Sequence, residues 1–445
     1  MKNRFTLTLA AAAIASTAAA QIPSDEFPQK EDRKGFHIEK TTEQDREMLF
    51  KSRPHANKSV PVPRFLIKSA NGNFFIAVGG QVNTIFGADL GNNLYEQDAA
   101  AGGFTTCDIP VPSVRGHRAD IFINPLNADI DFQAVGLPGS DNEITGYIRF
   151  GTPGNTINVT LKRAYLTWRG FTIGQKLTLF QDQDACQPPT IDTEGPSGTV
   201  SQTAYEISYK SKSYNGFRFA AALDMPTYYS GDGVYHGKDF REWEGHPVSN
   251  AVSQTVPDIP FWVEWSHSAN NRIRLSGIIR NFRYQDLVKS EIRDCVGWGV
   301  MLSGNLNPVK PLILYLQAVY GQGIGSYIQD LSQTPVSYVP SNKCPGKMKA
   351  SPMMGLNFGA TYNINRRWQV NALASQARIW NVSAYANALD LEQNYKYALY
   401  AGGNCFFNIT SYLQVGVEYL WGRRMTWDHK GANDSRLEGQ ILFTL

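Results

Sequence analysis

Four carboxylates crowd one proline-rich stretch. Asp182, Asp184, Asp192 and Glu194 lie within Phe180–Gly198, together with Pro188, Pro189 and Pro196. Proline donates no ladder hydrogen bond and fixes its own backbone dihedral, so this stretch is no strand. Its acids would be costly in a dry core. A loop over residues 182–199 folded into a wet lumen, narrowing a pore, meets both constraints; an ordinary acidic surface loop also meets them. Basic residues stand on the segments around it. Arg272, Arg274 and Arg280 share one parity along 271–284, Lys162 and Lys176 lie on 156–169 and 171–181, and Arg149 lies on the segment before. Asp120, Glu264 and Glu418 are expected on the same polar stripe. A basic wall facing an acidic loop makes a transverse field that orients dipolar or charged solutes and sets ion preference. The excess of Arg and Lys predicts a mild anion preference. The bland alternative is that these charges pair with one another and hold the loop in place, which is compatible with conduction.

Other chemistries have less to stand on. An enzymatic barrel would need a nucleophile–His arrangement or a carboxylate dyad at its rim. His236 and His246 share the stretch 226–258 with Asp239, Glu242 and Glu244, and His267 is on a strand, but no G-x-S-x-G accompanies them. They read as polar loop groups. There is no CxxC and no Cys/His metal spacing, so neither zinc nor another cofactor is indicated. The long loops hold nothing specific enough to favour an adhesin. The five cysteines, at 107, 186, 295, 344 and 405, are odd in number, which leaves at least one thiol free. Cys295–Cys344 is the preferred pair because their loops would be neighbours, and Cys107–Cys186 follows by elimination; free thiols throughout remain open.

The elements that must position these residues begin with an export signal. Lys2 and Arg4, an apolar run over Leu7–Ala19, and the small residues Ala18 to Ala20 read as a signal peptide over residues 1–20. Without Lys2 and Arg4 the formal charge of +3 falls to +1, which argues against nucleic acid as a partner. Residues 21–62 are polar and flanked by prolines, and read either as a short periplasmic arm or as a disordered linker. Thr41–Gln44 resembles a capping box and predicts a helix over about 42–52.

From Asn73 the periodicity changes to two. Segments 74–88, 117–136, 144–150, 156–169, 171–181, 201–211, 216–225, 259–269, 271–284, 295–305, 310–321, 351–363, 367–379, 394–407, 410–422 and 435–445 alternate apolar with small or polar residues. In 157–165, Ile157, Val159, Leu161 and Tyr165 share the apolar face. In 410–422, Leu413, Val415, Val417, Tyr419 and Trp421 oppose Gln414, Gly416 and Glu418. In 435–445, Leu437, Ile441 and Phe443 oppose Arg436, Glu438 and Gln440. Connectors alternate between short (168–171, 269–272, 364–367, 408–410) and long (89–116, 182–200, 226–258, 322–350, 380–393, 423–434). After the signal no apolar run reaches the ~20 residues of a spanning helix. Short turns on one side and long loops on the other are what a transmembrane barrel requires, because in hydrocarbon only a closed sheet satisfies every backbone group. Rings at Trp168, Trp265, Trp298, Trp368, Trp380, Trp421, Tyr165, Tyr284, Tyr362 and Tyr419 fall near strand ends, as interfacial girdles do. The fold expected is all-β: a 16-stranded antiparallel transmembrane β-barrel over residues 63–445, with a short polar N-terminal periplasmic arm.

The run Leu161-Lys-Arg-Ala-Tyr165, then Ile173-Gly-Gln175, Phe180-x-Asp182 and Pro189-x-x-Asp192-x-Glu194-Gly-Pro196, with Val78-Gly-Gly-Gln-Val82 before it, resembles the DcaP-like trimeric outer-membrane porins. The resemblance implies a homotrimer of sixteen-stranded barrels in outer-membrane lipid, each with an infolded third extracellular loop. It also implies passive uptake of small hydrophilic, often negatively charged solutes, with Lys162 and Lys176 at inward sites flanking the constriction. The family's N-terminal coiled coil has no counterpart in residues 21–62, which lack sustained heptads. The chain also ends in Phe443-Thr-Leu445 rather than a terminal aromatic. The expectation is a diffusion porin of a Gram-negative outer membrane. The alternative is a barrel whose loops plug the pore and serve a structural or surface-binding role.

Overall fold

The computed structural model describes residues 36–40, 65–91, 103–112, 120–152, 159–185, 187–225, 249–268, 270–333, 337–341, 343–380 and 395–444. Its strands, in chain order, are β1 (Phe36–Lys40), β2 (Phe65–Ser69), β3 (Phe74–Asp89), β4 (Asp120–Gly136), β5 (Ile144–Gly151), β6 (Thr160–Trp168), β7 (Phe171–Leu177), β8 (Thr203–Lys210), β9 (Phe217–Met225), β10 (Ser249–Ala251), β11 (Ile259–Ser268), β12 (Asn271–Asp286), β13 (Glu291–Val309), β14 (Leu312–Gln322), β15 (Tyr338–Pro340), β16 (Met348–Ala350), β17 (Pro352–Asn363), β18 (Trp368–Ile379), β19 (Tyr395–Asn408), β20 (Leu413–Thr426) and β21 (Gly431–Thr444). Sixteen of them, β3–β9, β11–β14 and β17–β21, form one antiparallel ring. It closes where β21 pairs with β3, from Arg436↔Asp89 to Thr444↔Gln81.

The ring is turned inside out relative to a soluble sheet, and the alternation in sequence is the cause. On β20 and β21 the outward Val417, Tyr419, Leu437, Ile441 and Phe443 are 43–50% exposed, while the inward Glu418, Arg436, Glu438 and Gln440 are buried. An apolar exterior over a polar interior is the pattern of a barrel set in lipid. No helix among the described residues is long and apolar enough to cross a membrane, which says nothing about strands.

Tight turns join strands at one rim, at 169–170, 310–311, 364–367 and 409–412. The opposite rim carries the long connections but also two turns of four residues, which the sequence pattern does not announce. The expected loop 423–434 is a turn at 427–430, since β20 and β21 stay paired up to Met425↔Gly431. Likewise β12 and β13 run on to Asp286↔Glu291, well beyond the expected ends at 284 and 295. Asp286 closes that turn by accepting the N–H groups of Val288 (2.9 Å) and Lys289 (3.2 Å) and Arg293 Nε at 2.7 Å. Polar residues near these tips read as loop, yet a ladder outside the apolar band tolerates polar residues on both faces.

A register shift lies between β5 and β6: Arg149 pairs with Arg163, but Phe150 pairs with Leu161. Lys162 is the extra residue of a bulge, and an extra residue exchanges the two faces of a strand beyond it. Tyr165 therefore faces inward, stacked on buried Tyr147 with ring centroids 5.1 Å apart, instead of sharing the outer face with Leu161. Tyr284 also faces inward, in a cluster with Phe282, Tyr338, Met348 and Ala350, and is no girdle residue. Trp168, Trp265, Trp298, Trp368, Tyr362 and Tyr419 are exposed on the outside.

Ahead of the ring, β2 pairs with β3 from Phe65↔Val78 to Lys68↔Phe75, and β1 pairs with β2. The arm thus contributes a strand at residues 36–40. The signal peptide, the helix expected over 42–52, His236 and His246 lie outside the described residues, as do the side chain of Asp120 and all of Cys186. Cys107, Cys295, Cys344 and Cys405 are free thiols, so the expected Cys295–Cys344 pair is not formed. The register explains this: Cys295 lies opposite Phe282 and packs against the cluster that includes Met348 and Ala350, whereas Cys344 is exposed in the turn beyond β15.

Candidate functional site: the loop inside the lumen

The connection between β7 and β8, residues 178–202, lies against the inward side chains of the ring. At its start, Asp182 is buried and receives the Arg272 guanidinium and the Ser303 hydroxyl (2.6 Å), with Arg274 Nη1 at 3.5 Å. Burial pushes the Asp182 carboxyl up, but Arg274 and Arg272 outweigh it and hold the pKa at about 2. Both arginines also meet Glu264 of β11: Arg272 Nη1 at 2.6 Å, Arg274 Nη2 at 2.6 Å and Nε at 2.9 Å, with Arg218 joining from β9. Asp184 lies 3.7 Å from Arg272 and stays a third exposed.

The far end of the loop docks on β19 and β20. Glu418 accepts the Thr190 hydroxyl at 2.7 Å and the N–H groups of Ile191 and Asp192 at 2.6 and 2.9 Å. Asp192 accepts the N–H groups of Phe104 (2.8 Å) and Glu194 (3.0 Å) and the Tyr400 hydroxyl (2.7 Å). Burial raises its pKa, with those hydrogen bonds opposing. Beyond Pro196, on its return toward β8, the loop runs backbone-on-backbone along β17 and β18. A Cβ at Gly198 would stand 2.5 Å from the Gln376 carbonyl and 2.6 Å from Leu356 N, so only glycine fits this approach. Ser375 Oγ accepts the Gly198 N–H at 2.8 Å, and Gln317 Nε2 donates to its carbonyl at 3.1 Å.

Two further connections complete the insert. Residues 325–333 hydrogen-bond to the loop through Gln329 N to the Thr199 carbonyl (2.8 Å) and Asp330 N to the Ser197 carbonyl (3.1 Å). Asp330 accepts the hydroxyls of Thr106 (2.6 Å) and Tyr395 (2.7 Å), and burial raises its pKa. Apolar side chains from all three connections, Phe180, Val200, Ile324, Tyr327, Ile328, Leu331 and Cys107, pack with Met301, Val319, Met353 and Ile379 of the wall. A dry core thus stands inside the ring, which the alternation pattern alone does not foretell.

The remaining expected site residues are distributed around this insert. Arg280 Nε is 2.9 Å from Asp258, which also receives the Tyr327 hydroxyl at 2.7 Å. Lys176 is buried against Glu206. Arg149 and Lys162 converge on Asp129, at 2.5 and 2.7 Å. Glu194 is exposed and accepts Gln329 Nε2 at 2.6 Å. Sequence reasoning did not single out Asp129, Asp258, Glu206 or Arg218, although inward parity marks each of the strand residues among them, and it placed Arg436 on the polar face without a role. Arg436 is fully buried, holding Asp89 through two nitrogens (2.6 and 3.1 Å) and the Gly103 carbonyl (2.6 Å). No group of His, Cys, Asp and Glu suited to a metal ion occurs among the described residues.

Beneath the insert is a space of about 710 Å³. Asp129, Arg149 and Lys162 line it from the wall, residues 189–194 from the loop, and Thr410–Leu413 from the tight-turn rim.

No family model matches the chain, and no curated protein matches it. Solved structures do. The outer membrane channel DcaP of Acinetobacter baumannii is similar over 85% of this chain and 99% of that one, with a TM-score of 0.66 at 16% identity. OmpT, an outer membrane protein of Vibrio cholerae, covers 85% and 100% at a TM-score of 0.52 and 9% identity. An anion-selective porin from Comamonas acidovorans covers 84% and 100% at 0.51 and 10%. These likenesses show the fold, and the first is to a channel of the kind that residues 161–196 resemble.

Proposed function

We propose that this chain is an outer-membrane porin of a Gram-negative bacterium, exported by the signal over residues 1–20, through which small hydrophilic solutes diffuse passively. No chemical step is involved, and the loop 182–199 narrows the path. The observation that carries the reading is the 710 Å³ space with a polar lining, inside a ring whose outer face is apolar. Such a lumen suits water and solutes, and such an exterior suits lipid. The refolded protein in a planar bilayer is expected to give stepwise ion currents. A protein that inserts and stays silent sinks the reading.

A homotrimer is part of the proposal. Strands β5, β7 and β8 have eight, seven and eight residues, short of the ~9–11 that a tilted strand needs to span a bilayer, and β6 and β9, with nine each, only reach its lower bound. Their outward side nonetheless carries Phe171, Tyr209 and Phe219 in aromatic contact. Contact with a neighbouring subunit suits that low wall better than lipid does. Cross-linking in detergent is expected to trap three chains.

One observation favours the second reading, a barrel closed by its own loops. The dry core of Phe180, Ile324, Tyr327 and Leu331 is packed as a protein interior, not as a mobile flap. The same bilayer experiment separates the two.

A further inference from the structure

The lipid-facing side of β17–β21 carries two positive charges with nothing to balance them. Among the described residues, that outward side is uncharged except for Arg378 on β18 and Arg423 on β20. The other charges of these strands are accounted for. Glu418, Asp434, Arg436 and Glu438 are buried inside the ring, and Arg424 donates to the Ile109 carbonyl at 3.2 Å. Lys396, the extra residue at the head of β19, lies over the Trp427 ring. Ala377 and Ile379 are buried in the dry core, which turns Arg378 outward; Gly422 faces Phe104 inside, which turns Arg423 outward. Neither arginine takes part in an ion pair among the described residues, and the Nε of each is shielded without a hydrogen-bond partner. Arg283, an outward arginine of β12, differs: the register sets it opposite Asp294.

Both arginines stand near the rim that carries the long connections, the extracellular side of such a barrel. Tyr320↔Met354, Met354↔Arg378 and Arg378↔Tyr397 are successive register pairs, so Arg378 shares one row with exposed Tyr320. Trp298 and Trp380 each lie 6.0 Å from Tyr320, and rings of this kind collect where hydrocarbon meets headgroups. The Arg378 guanidinium is 5.2 Å from the Trp380 ring and 5.9 Å from the Tyr397 ring, whose faces attract it and fix its position. Arg423 is one same-face step nearer the hydrocarbon, opposite Leu399. β18 and β20 are separated only by β19, about 10 Å across the sheet, within reach of one lipid headgroup. Below the pair the wall is low: Ala374 is opposite Ala401 and Ala372 opposite Gly403, with Phe358 and Tyr419 standing out on either side.

We propose that Arg378 and Arg423 bind the phosphate groups of a bisphosphorylated glycolipid of the outer leaflet, with an acyl chain on the low strip beneath them. A guanidinium stays charged and forks onto phosphate through two nitrogens, and the absent carboxylates leave both forks available. A basic pair at headgroup depth beside an apolar face matches a lipid that is anionic at its head and apolar below. β18–β20 lie across the ring from β5–β9, so this wall meets lipid while the low wall meets a neighbouring subunit. The inference rests on the outer-membrane placement of the barrel and not on conduction.

The test uses the full chain refolded in detergent, with bisphosphorylated lipid A as the probe. Native mass spectrometry reads binding, and the heat-dependent shift in gel mobility reads the folded barrel. Bisphosphorylated lipid A is expected to stay bound and to raise the temperature of unfolding. Lipid A stripped of both phosphates, with the same acyl chains, is expected to do neither. Arg378→Gln with Arg423→Gln should weaken binding roughly tenfold or more, while Arg283→Gln should leave it unchanged. Equal binding of the phosphorylated and stripped lipids, equal binding by wild type and the folded double variant, or equal binding of phosphatidylglycerol overturns the site. Should the double variant not fold, the comparison of the two forms of lipid A on wild type decides. A barrel that is silent in the bilayer yet selects the phosphorylated form sinks the porin reading and supports this one. A conducting barrel that binds both forms alike does the reverse.

Discussion

Arg272 on β12 and Asp182 on the infolded loop are joined across 90 positions of sequence. The pair is buried; Glu264 takes Nη1 of Arg272, and the Ser303 hydroxyl donates to the second oxygen of Asp182. A buried pair of this kind is strongly unfavourable to break from one side, because the remaining charge has no water to turn to. Arg272 therefore acts first as an anchor.

Replacing Arg272 and Arg274 together by Glu is expected to release the start of the loop. It should destabilise the barrel by on the order of 3 kcal/mol or more, read as a lower urea midpoint for refolding into detergent. The sequence alone reads both arginines as part of a wall that sets ion preference. With both guanidiniums buried, an unaltered urea midpoint is the result that contradicts the anchor.

The anchor should also resist acid. The Asp182 pKa of about 2 is below the ordinary carboxylate value of about 3.9. A depressed folded-state pKa contributes stability that is full above the unfolded value and lost as pH falls through the folded one. Protection from hydrogen exchange at residues 180–185 should thus hold from about pH 7 down to about 4, weaken progressively below that and be lost near about 2. Asp330 has the opposite sign: its raised pKa gives a contribution that is full at low pH and is lost as pH rises through the folded value. Opening at residues 180–185 already at about pH 5 would contradict the coupling to Arg272 and Arg274.

Gly198→Ala places a methyl group against the Gln376 carbonyl and Leu356 N, both backbone atoms that cannot step aside. The loop must lift from β17 and β18, so single-channel conductance should rise while the barrel persists. Equal conductance in variant and wild type would mean that this stretch of loop does not border the path.

The thiols offer a simple check on the loops. Cys344 is exposed and Cys107 is buried, with burial and the carboxylates of Asp330 and Asp108 pushing the Cys107 pKa up. Thiolate is the reactive form. A maleimide at neutral pH should therefore label Cys344 in the folded protein and reach Cys107 only after denaturation. Rapid labelling of Cys107 would contradict the packed insert.

What could be read from sequence followed from period two. The alternation at Val417, Tyr419 and Glu418 places lipid face and lumen face correctly, and the parity of Arg272, Arg274 and Arg280 points them inward as expected. Period two fails wherever an extra residue enters: the bulge at Lys162 turns Tyr165 inward, and nothing in the local composition marks it. It also does not name partners. Asp182 could be seen as an acid in a loop, but Glu264 as the centre of three arginines depends on the register between β9, β11 and β12. The dry core was illegible for a related reason. Ile324, Ile328 and Leu331 belong to a connection with no period, and their burial is decided only when residues 178–202 lie beside them.

The seam of the ring has a consequence for how the sheet is completed. Pairing between β21 and β3 stops at Thr444↔Gln81, and the same edge of β3 is taken up again by β2, from Val78 to Phe75. The two strands lie end to end along β3 and run in the same direction, with Gly79 and Gly80 opposite the junction. A segment that comes before the first barrel strand thus finishes the line begun by the last one. The join is a splice rather than a simple lap: a chain that starts at β3 would still meet its own end, but would leave a notch of unpaired backbone beside Phe75–Val78, open to the edge of any other strand.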